Sequence, residues 1–323
     1  MTYASQPYRA RQERPPVREV NNRKSSARSR IPGSAARPSS LSARDFSAMA
    51  RICGPIIACT VCIRTRPRWI KQVVGDNGFV TSSLLAPRCQ RHGALGRSPD
   101  KVIGETRATT ILDTASGPVE ALVAKHSDAP TQREFLKAVH TDLASTVRAV
   151  YAMEDLQPAS LTLRRGRGSC SQRLAVLEAA ARGKGISTRV RGIAVDGSFW
   201  YPRFPKLKTL VPDHVILAWP EFKIDGTWVP VSELYGSLGE MAICGIGFTN
   251  EGGETLFDAI GRTAVDWDGA TGGQCDLSAV VSDCLGYFDS RDELFRTQGQ
   301  TLAWLPRKIA DGIMSRRSAA GAR

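Results

Sequence analysis

The chain has 323 residues, 42% of them hydrophobic and 23% charged, with a formal net charge of +13. That length holds two average domains or one domain with a long tail. Residues 1–104 carry 19 of the 44 Lys+Arg and 5 of the 31 Asp+Glu, so the basic excess belongs to the N-terminal third. The remainder is close to neutral, which favours a basic tail over 1–104 and one domain over 105–323.

Residues 1–48 are rich in Arg, Ser and Pro, as in Arg23-Lys24-Ser25-Ser26-Ala27-Arg28-Ser29-Arg30, and nearly free of large apolar side chains. Such a stretch cannot bury enough surface to offset its chain entropy and is expected to be disordered. Its composition fits an organelle transit peptide, an arm making nonspecific nucleic-acid contacts, or upstream sequence ahead of a start at Met49 or later. The Arg/Ala/Ser/Pro/Gly bias favours the last. The apolar run 52–63 is too short, and too interrupted by Gly54, Pro55 and three cysteines, to span a bilayer. A soluble cytoplasmic protein with no membrane partner is therefore expected. Cys59, Cys62, Cys89 and His92 have the outline of a four-ligand zinc site, but Cys53 is left over, and no metal or cofactor is expected. Cys244, Cys275 and Cys284 read as small buried apolar residues.

An amphipathic helix is predicted over 131–153. Thr131 and Glu134 form a capping-box pattern, and Leu136, Val139, Leu143, Val147 and Val150 make one stripe flanked by His140. A second capping box, Ser169 to Gln172, makes Cys170 the first residue of a helix ending near Gly183. Unpaired amides and the helix dipole favour a thiolate at that position, and Arg167 and Arg173 add positive charge. Small residues that merely cap a helix and fill the core are the plainer account of the same window. Strands are predicted at 187–195, 214–222 and 227–232. The Asp225-Gly226 pair forms a two-residue hairpin turn, placing Ile224 opposite Thr227. The aromatic stretch Phe199 to Pro205 reads as a loop that either walls a substrate cleft or covers the sheet edge, the second being the simpler account. Leu302, Leu305, Ile309 and Ile313 share one face of a C-terminal docking helix with a basic end. No internal repeat and no phosphate-binding glycine loop is present.

Five pieces in order, Gly168-Ser169-Cys170, Gly185-Ile186-Ser187-Thr188-Arg189, Leu217-Ala218-Trp219-Pro220-Glu221, Asp225-Gly226 and Trp228-Val229-Pro230-Val231-Ser232, resemble the transglutaminase-like superfamily. The resemblance covers about 165–235. It implies an α+β, papain-like core with the cysteine-bearing helix packed on an antiparallel sheet. It also implies Cys170 as nucleophile towards peptide or protein amide groups, in peptidase, deamidase or transglutaminase chemistry. The family's histidine and aspartate positions are occupied by Leu217 and Ser232.

His214 is the substitute base to consider, with Asp213, Asp266 or Asp268 to orient it. Side chains alternate along a strand, so His214 has the opposite parity to Leu217 and stands three residues away, roughly 10 Å. Two classes of function follow. One is a cysteine-dependent hydrolase or acyltransferase using Cys170, His214 and Asp213. The other is a catalytically degraded transglutaminase-like module used for binding or as a structural domain.

Overall fold

The computed structural model describes residues 95–320. The tail up to residue 94, the start at Met49 and the Cys59, Cys62, Cys89 and His92 set lie outside them. In chain order the elements are α1 (Gly117–Lys125), α2 (Gln132–Thr146), a two-residue strand β1 (Arg148–Ala149), α3 (Ala159–Arg165), β2 (Arg167–Gly168) and α4 (Cys170–Gly183). Then come β3 (Thr188–Asp196), β4 (His214–Ile224), β5 (Thr227–Pro230), α5 (Leu238–Cys244), α6 (Leu256–Ala259), β6 (Val281–Phe288), α7 (Arg291–Gln298) and α8 (Trp304–Met314). β1 and β2 pair in parallel, and the main sheet is antiparallel in the order β5-β4-β3-β6. The α+β expectation holds.

Both predicted helix starts are present. Ser169 accepts the Gln172 amide at 3.3 Å while the Gln172 side chain accepts the Ser169 amide at 3.2 Å, a complete capping box. At α2, Thr131 accepts the Glu134 amide, and the Glu134 carboxylate takes the Thr131 hydroxyl instead of its amide. α2 stops at Thr146 rather than 153, because Val147 turns to extended backbone and Arg148–Ala149 pair with Arg167–Gly168. The β-branched Thr146, Val147 and Val150 suit that change. α4 runs through Gly183, and the left-handed residue that closes it is Gly185 (φ 83°). The Gly185 amide donates to the Arg182 carbonyl and the Ile186 amide to that of Ala181, which satisfies carbonyls at the helix end.

The Asp225-Gly226 turn has both residues at positive φ, and its register is the expected one, Ile224 opposite Thr227. β5 is shorter than predicted. It ends at Pro230 opposite Glu221, and Val231–Glu233 wind into a 3-10 helix. Pro220 sits one step beyond that last pair, where β4 has lost its β5 partner, so its missing N–H breaks no ladder on that side. The fourth strand, β6, was not anticipated; it pairs with β3 through two register shifts.

Residues 96–104 lie on the tail side of the charge boundary, yet they pack on the sheet together with Glu105. Arg97 bridges Tyr287 of β6 and Glu105 bridges Thr188, while the Arg97 guanidinium meets Asp289 at 2.7 Å and Glu293 at 2.9 Å. One core of buried side chains joins α1, α2, α4 and the main sheet to Phe248, Phe257, Trp267 and Leu294. α4 lies at its centre and is enclosed from Gln172 to Arg182.

Candidate functional site

Cys170 opens α4 and sits half-buried against the core. The capping box uses the Ser169 and Gln172 amides, and the Arg173 amide already bonds to the Ser169 carbonyl. The amides of Cys170 and Ser171 are therefore the first-turn donors that the cap leaves over. No hydrogen bond to the Cys170 sulfur is formed among the described residues.

Arg173 makes its hydrogen bonds with groups other than the cysteine. Its guanidinium is buried, 2.9 Å from Asp258, donating also to Thr255 and the Leu143 carbonyl, and it lies over the Phe257 ring at 4.1 Å. Burial alone would raise Asp258, but the Arg173 hydrogen bond and charge, with Thr255, hold it below the usual carboxylate range. His140 stacks on the other contact of that ring, 4.4 Å from Phe257 between centroids. Its Nε2 lies 2.7 Å from the Phe257 carbonyl and its Nδ1 2.9 Å from the Tyr235 hydroxyl. A carbonyl only accepts, so Nε2 carries the proton and Nδ1 accepts from Tyr235. Burial lowers its pKa, and the neutral ring has no nitrogen left for catalysis.

The side of α4 facing α7 carries a polar chain that sequence reasoning missed. Asp155 hydrogen-bonds to Ser171, the residue after Cys170. Arg291 donates to the Ser171 hydroxyl at 3.2 Å, to Glu178, and to the Ala218 carbonyl of β4 at 3.2 Å. Asp155 as a residue keeps some exposure, but its carboxyl is enclosed. Burial pushes it up to about 6 despite the Ser171 bond and the Arg291 charge. Glu178 is pushed up by burial too, against the pull of Arg291. The one signal for this chain was Glu178 itself, a carboxylate inside the Leu174–Ala181 run where every neighbour is apolar.

The residues proposed to complete a catalytic set lie elsewhere. Arg291 ties α4 to β4 at Ala218, between Leu217 and Trp219, whereas His214 begins the strand four residues away, roughly 13 Å along it. His214 is exposed, pairs in register with Asp196, and places Nδ1 3.0 Å from the Ser282 hydroxyl. That hydroxyl donates to the Ala194 carbonyl, so Nδ1 is the donor to Ser282. Asp213 is exposed, and its carbonyl accepts the Gly197 amide at the same end of the sheet. Among the described residues no hydrogen bond joins Cys170 to His214.

Leu217 is buried opposite Ile193, and Ser232 is buried within the 3-10 helix rather than on a strand. Asp266 is buried, and it accepts the amides of Asp268, Gly269 and Thr271 and so folds its own loop. Asp268 forms a two-pronged pair with Arg191 at 2.7 and 2.6 Å. Cys275 is buried as expected, but Cys244 is exposed on α5, and Cys284 is half-buried beside Arg191.

Two of the motif residues that carry the resemblance meet each other. Arg189 and Glu221 are register partners on β3 and β4, joined at 2.7 Å, with the guanidinium between the rings of Trp228 and Tyr287. Trp219 packs edge-on to Trp267 at 5.5 Å. The model of the transglutaminase-like superfamily matches residues 120–232. The protein contains a transglutaminase-like domain. No curated protein and no solved structure matches the chain. The matched stretch ends at Ser232, yet β6, Asp258, Trp267 and Arg291 lie beyond it. Residues beyond the matched stretch thus complete its sheet and pair its buried charges.

Proposed function

We infer that this is a transglutaminase-like module that has lost the cysteine–histidine–aspartate machinery and serves as a binding or structural domain. The observation that carries this reading is Leu217, an aliphatic side chain at the position where the resemblance implies the base. It is buried against Ile193 and has no group that takes a proton. Ser232 at the aspartate position adds to it, since a hydroxyl supplies no charge to steady an imidazolium. Cys170 then acts as a helix-opening residue that packs against the core.

A second reading keeps Cys170 as a nucleophile towards peptide or protein amides, with His214 as base and Asp213 orienting it. In its favour, the intact capping box leaves the Cys170 and Ser171 amides available to bind an oxyanion. It requires β4 to shift His214 towards α4 before a proton can be transferred.

The two readings part in one experiment. The full chain is incubated with glutamine-containing protein, with and without a primary amine, and ammonia release and amine incorporation are measured. Cys170→Ala and His214→Ala run alongside. No turnover above the Cys170→Ala background supports the module. Turnover abolished by both substitutions would overturn it in favour of the enzyme.

A further inference from the structure

α8 turns its polar flank towards the domain and its apolar flank away. On the inner side Arg307 donates to Glu154 at 3.2 Å and to the Leu302 carbonyl at 2.9 Å, and Asp311 accepts the Met153 amide at 2.8 Å. The chain after the helix is tied down as well, the Ala319 amide bonding to the Ala149 carbonyl and Arg203 to that of Ala319. On the outer side Trp304 is 66% exposed, Leu305 58%, Ile309 62% and Ile313 69%. Leu305, Ile309 and Ile313 recur every four residues and form a single stripe with Trp304 at its edge. Only Leu302, just ahead of the helix, is buried. The docking helix expected from the sequence is present, but its apolar face does not dock on this domain. A contiguous apolar surface of this kind marks an interaction site.

The charges around the stripe select the partner. Asp311, the only acidic residue of α8, is turned inward, and Glu154 is taken by Arg307 and Lys308. The outward surface is left with Lys308, its side chain 58% exposed, and with the exposed Arg316 and Arg317 that follow the helix. A second copy of this chain would bring the same cations to the contact and the same net charge of +13, so like charges oppose that pairing. The stripe is convex, and eleven residues span roughly 16 Å, too short to cross a bilayer. An anionic lipid surface meets these terms. It accepts an apolar stripe lying flat without a shaped groove, and it supplies phosphates to flanking cations.

We propose that α8 docks the protein on an anionic lipid surface. Leu305, Ile309 and Ile313 enter the boundary of the acyl chains, Trp304 sits at the headgroup level, and Lys308, Arg316 and Arg317 face the phosphates. The expectation of no membrane partner rests on the lack of a spanning segment, and among the described residues no helix is long and apolar enough to cross. That criterion does not bear on a helix lying in the plane of the surface.

The test is co-sedimentation of the full chain with vesicles of phosphatidylcholine alone and of equimolar phosphatidylcholine and phosphatidylglycerol. The Leu305→Ser/Ile309→Ser and Arg316→Glu/Arg317→Glu variants are compared with wild type. The basic residues 1–104 are common to all three proteins, so their electrostatic binding cancels in the comparison. Wild type is expected to partition onto the mixed vesicles. The serine pair should weaken that partitioning about tenfold or more, and the glutamate pair should reduce it and its salt dependence. Both pairs lie on exposed positions, and an unchanged unfolding midpoint verifies that the variants fold. Binding unaffected by the serine pair, or no binding by wild type, overturns the proposal. So does a wild-type dimer in sedimentation equilibrium that the serine pair converts to monomer, which assigns the face to a second copy, or tight binding of an acidic protein in place of vesicles.

Discussion

α4 buries Arg173, Glu178 and Arg182 in the centre of the domain, while α8 leaves Leu305, Ile309 and Ile313 more than half exposed. The difference lies in what other elements bring to each helix. Burying a charge costs several kcal/mol unless a partner offsets it. Each charge on α4 has such partners: Asp258 for Arg173, Arg291 for Glu178, and for Arg182 the Thr188 hydroxyl at 2.7 Å with the carbonyls of Arg107 and Asp289. These partners come from as far as 113 residues along the chain. α8 receives the opposite treatment. Glu154 and the Met153 amide reach its polar flank, and no described element covers its apolar one. A helix face is drawn inward by the partners that meet it, and polarity alone does not choose the face.

The comparison is tested most severely at Arg291. Arg291→Met leaves Glu178 enclosed without its counter-charge and is expected to cost about 3–5 kcal/mol in urea unfolding. Adding Glu178→Leu should recover most of that loss. A single variant within about 1 kcal/mol of wild type would mean the ion pair does not hold the polar interior of α4.

Asp155 comes next and gives a pH signature. Its carboxyl titrates at about 6 in the folded chain against 3.8 for the ordinary group. Between those values the folded state binds more protons than the unfolded one, so this group's contribution to stability rises as pH falls through 6. From pH 7 to 5, wild type should gain about 1 kcal/mol relative to Asp155→Asn, whose amide keeps an acceptor for Ser171. A gap between the two proteins that stays constant with pH, measured by urea midpoints, would show that the carboxyl is not enclosed beside Ser171.

On α8 the effects shrink. Arg307→Ala removes the clamp to Glu154 and should cost about 1 kcal/mol. It should also let Glu154 titrate higher, because burial raises that carboxyl while Gln300 and Arg307 hold it below its usual range. Leu305→Ser, on the outward stripe, should change the unfolding free energy by less than about 0.5 kcal/mol in the same urea measurement. A loss approaching that of Arg291→Met would mean the stripe is covered in the folded protein.

Much of the local structure was legible beforehand. The capping box at Ser169 and Gln172, the stripe Leu136–Val139–Leu143 and the Asp225-Gly226 turn with its register rest on contacts a few residues apart. The turn register also placed Leu217 and Trp219 on one strand face, with His214 on the other. The candidate site was half legible. Cys170 at the first position of its helix was readable from the caps, but Asp155, Ser171 and Arg291 around it were not. Arg291 lies in a stretch, Ser290-Arg291-Asp292-Glu293, that reads as an ordinary capped surface helix, and it is buried only because α7 arrives beside α4.

What the sequence by itself determined is therefore the set of short-range units: where helices start, where the hairpin turns, and that leucine and serine stand at the positions implied for a base and its orienter. Only the tertiary structure decided that β6 closes the sheet on β3, that Asp266 folds its own loop, and that the apolar stripe of α8 faces outward. The physical reason is range. A cap or a turn is selected by backbone geometry and hydrogen bonds within about four residues. The burial of a charge or the exposure of a leucine depends on which distant element supplies, or fails to supply, its partner.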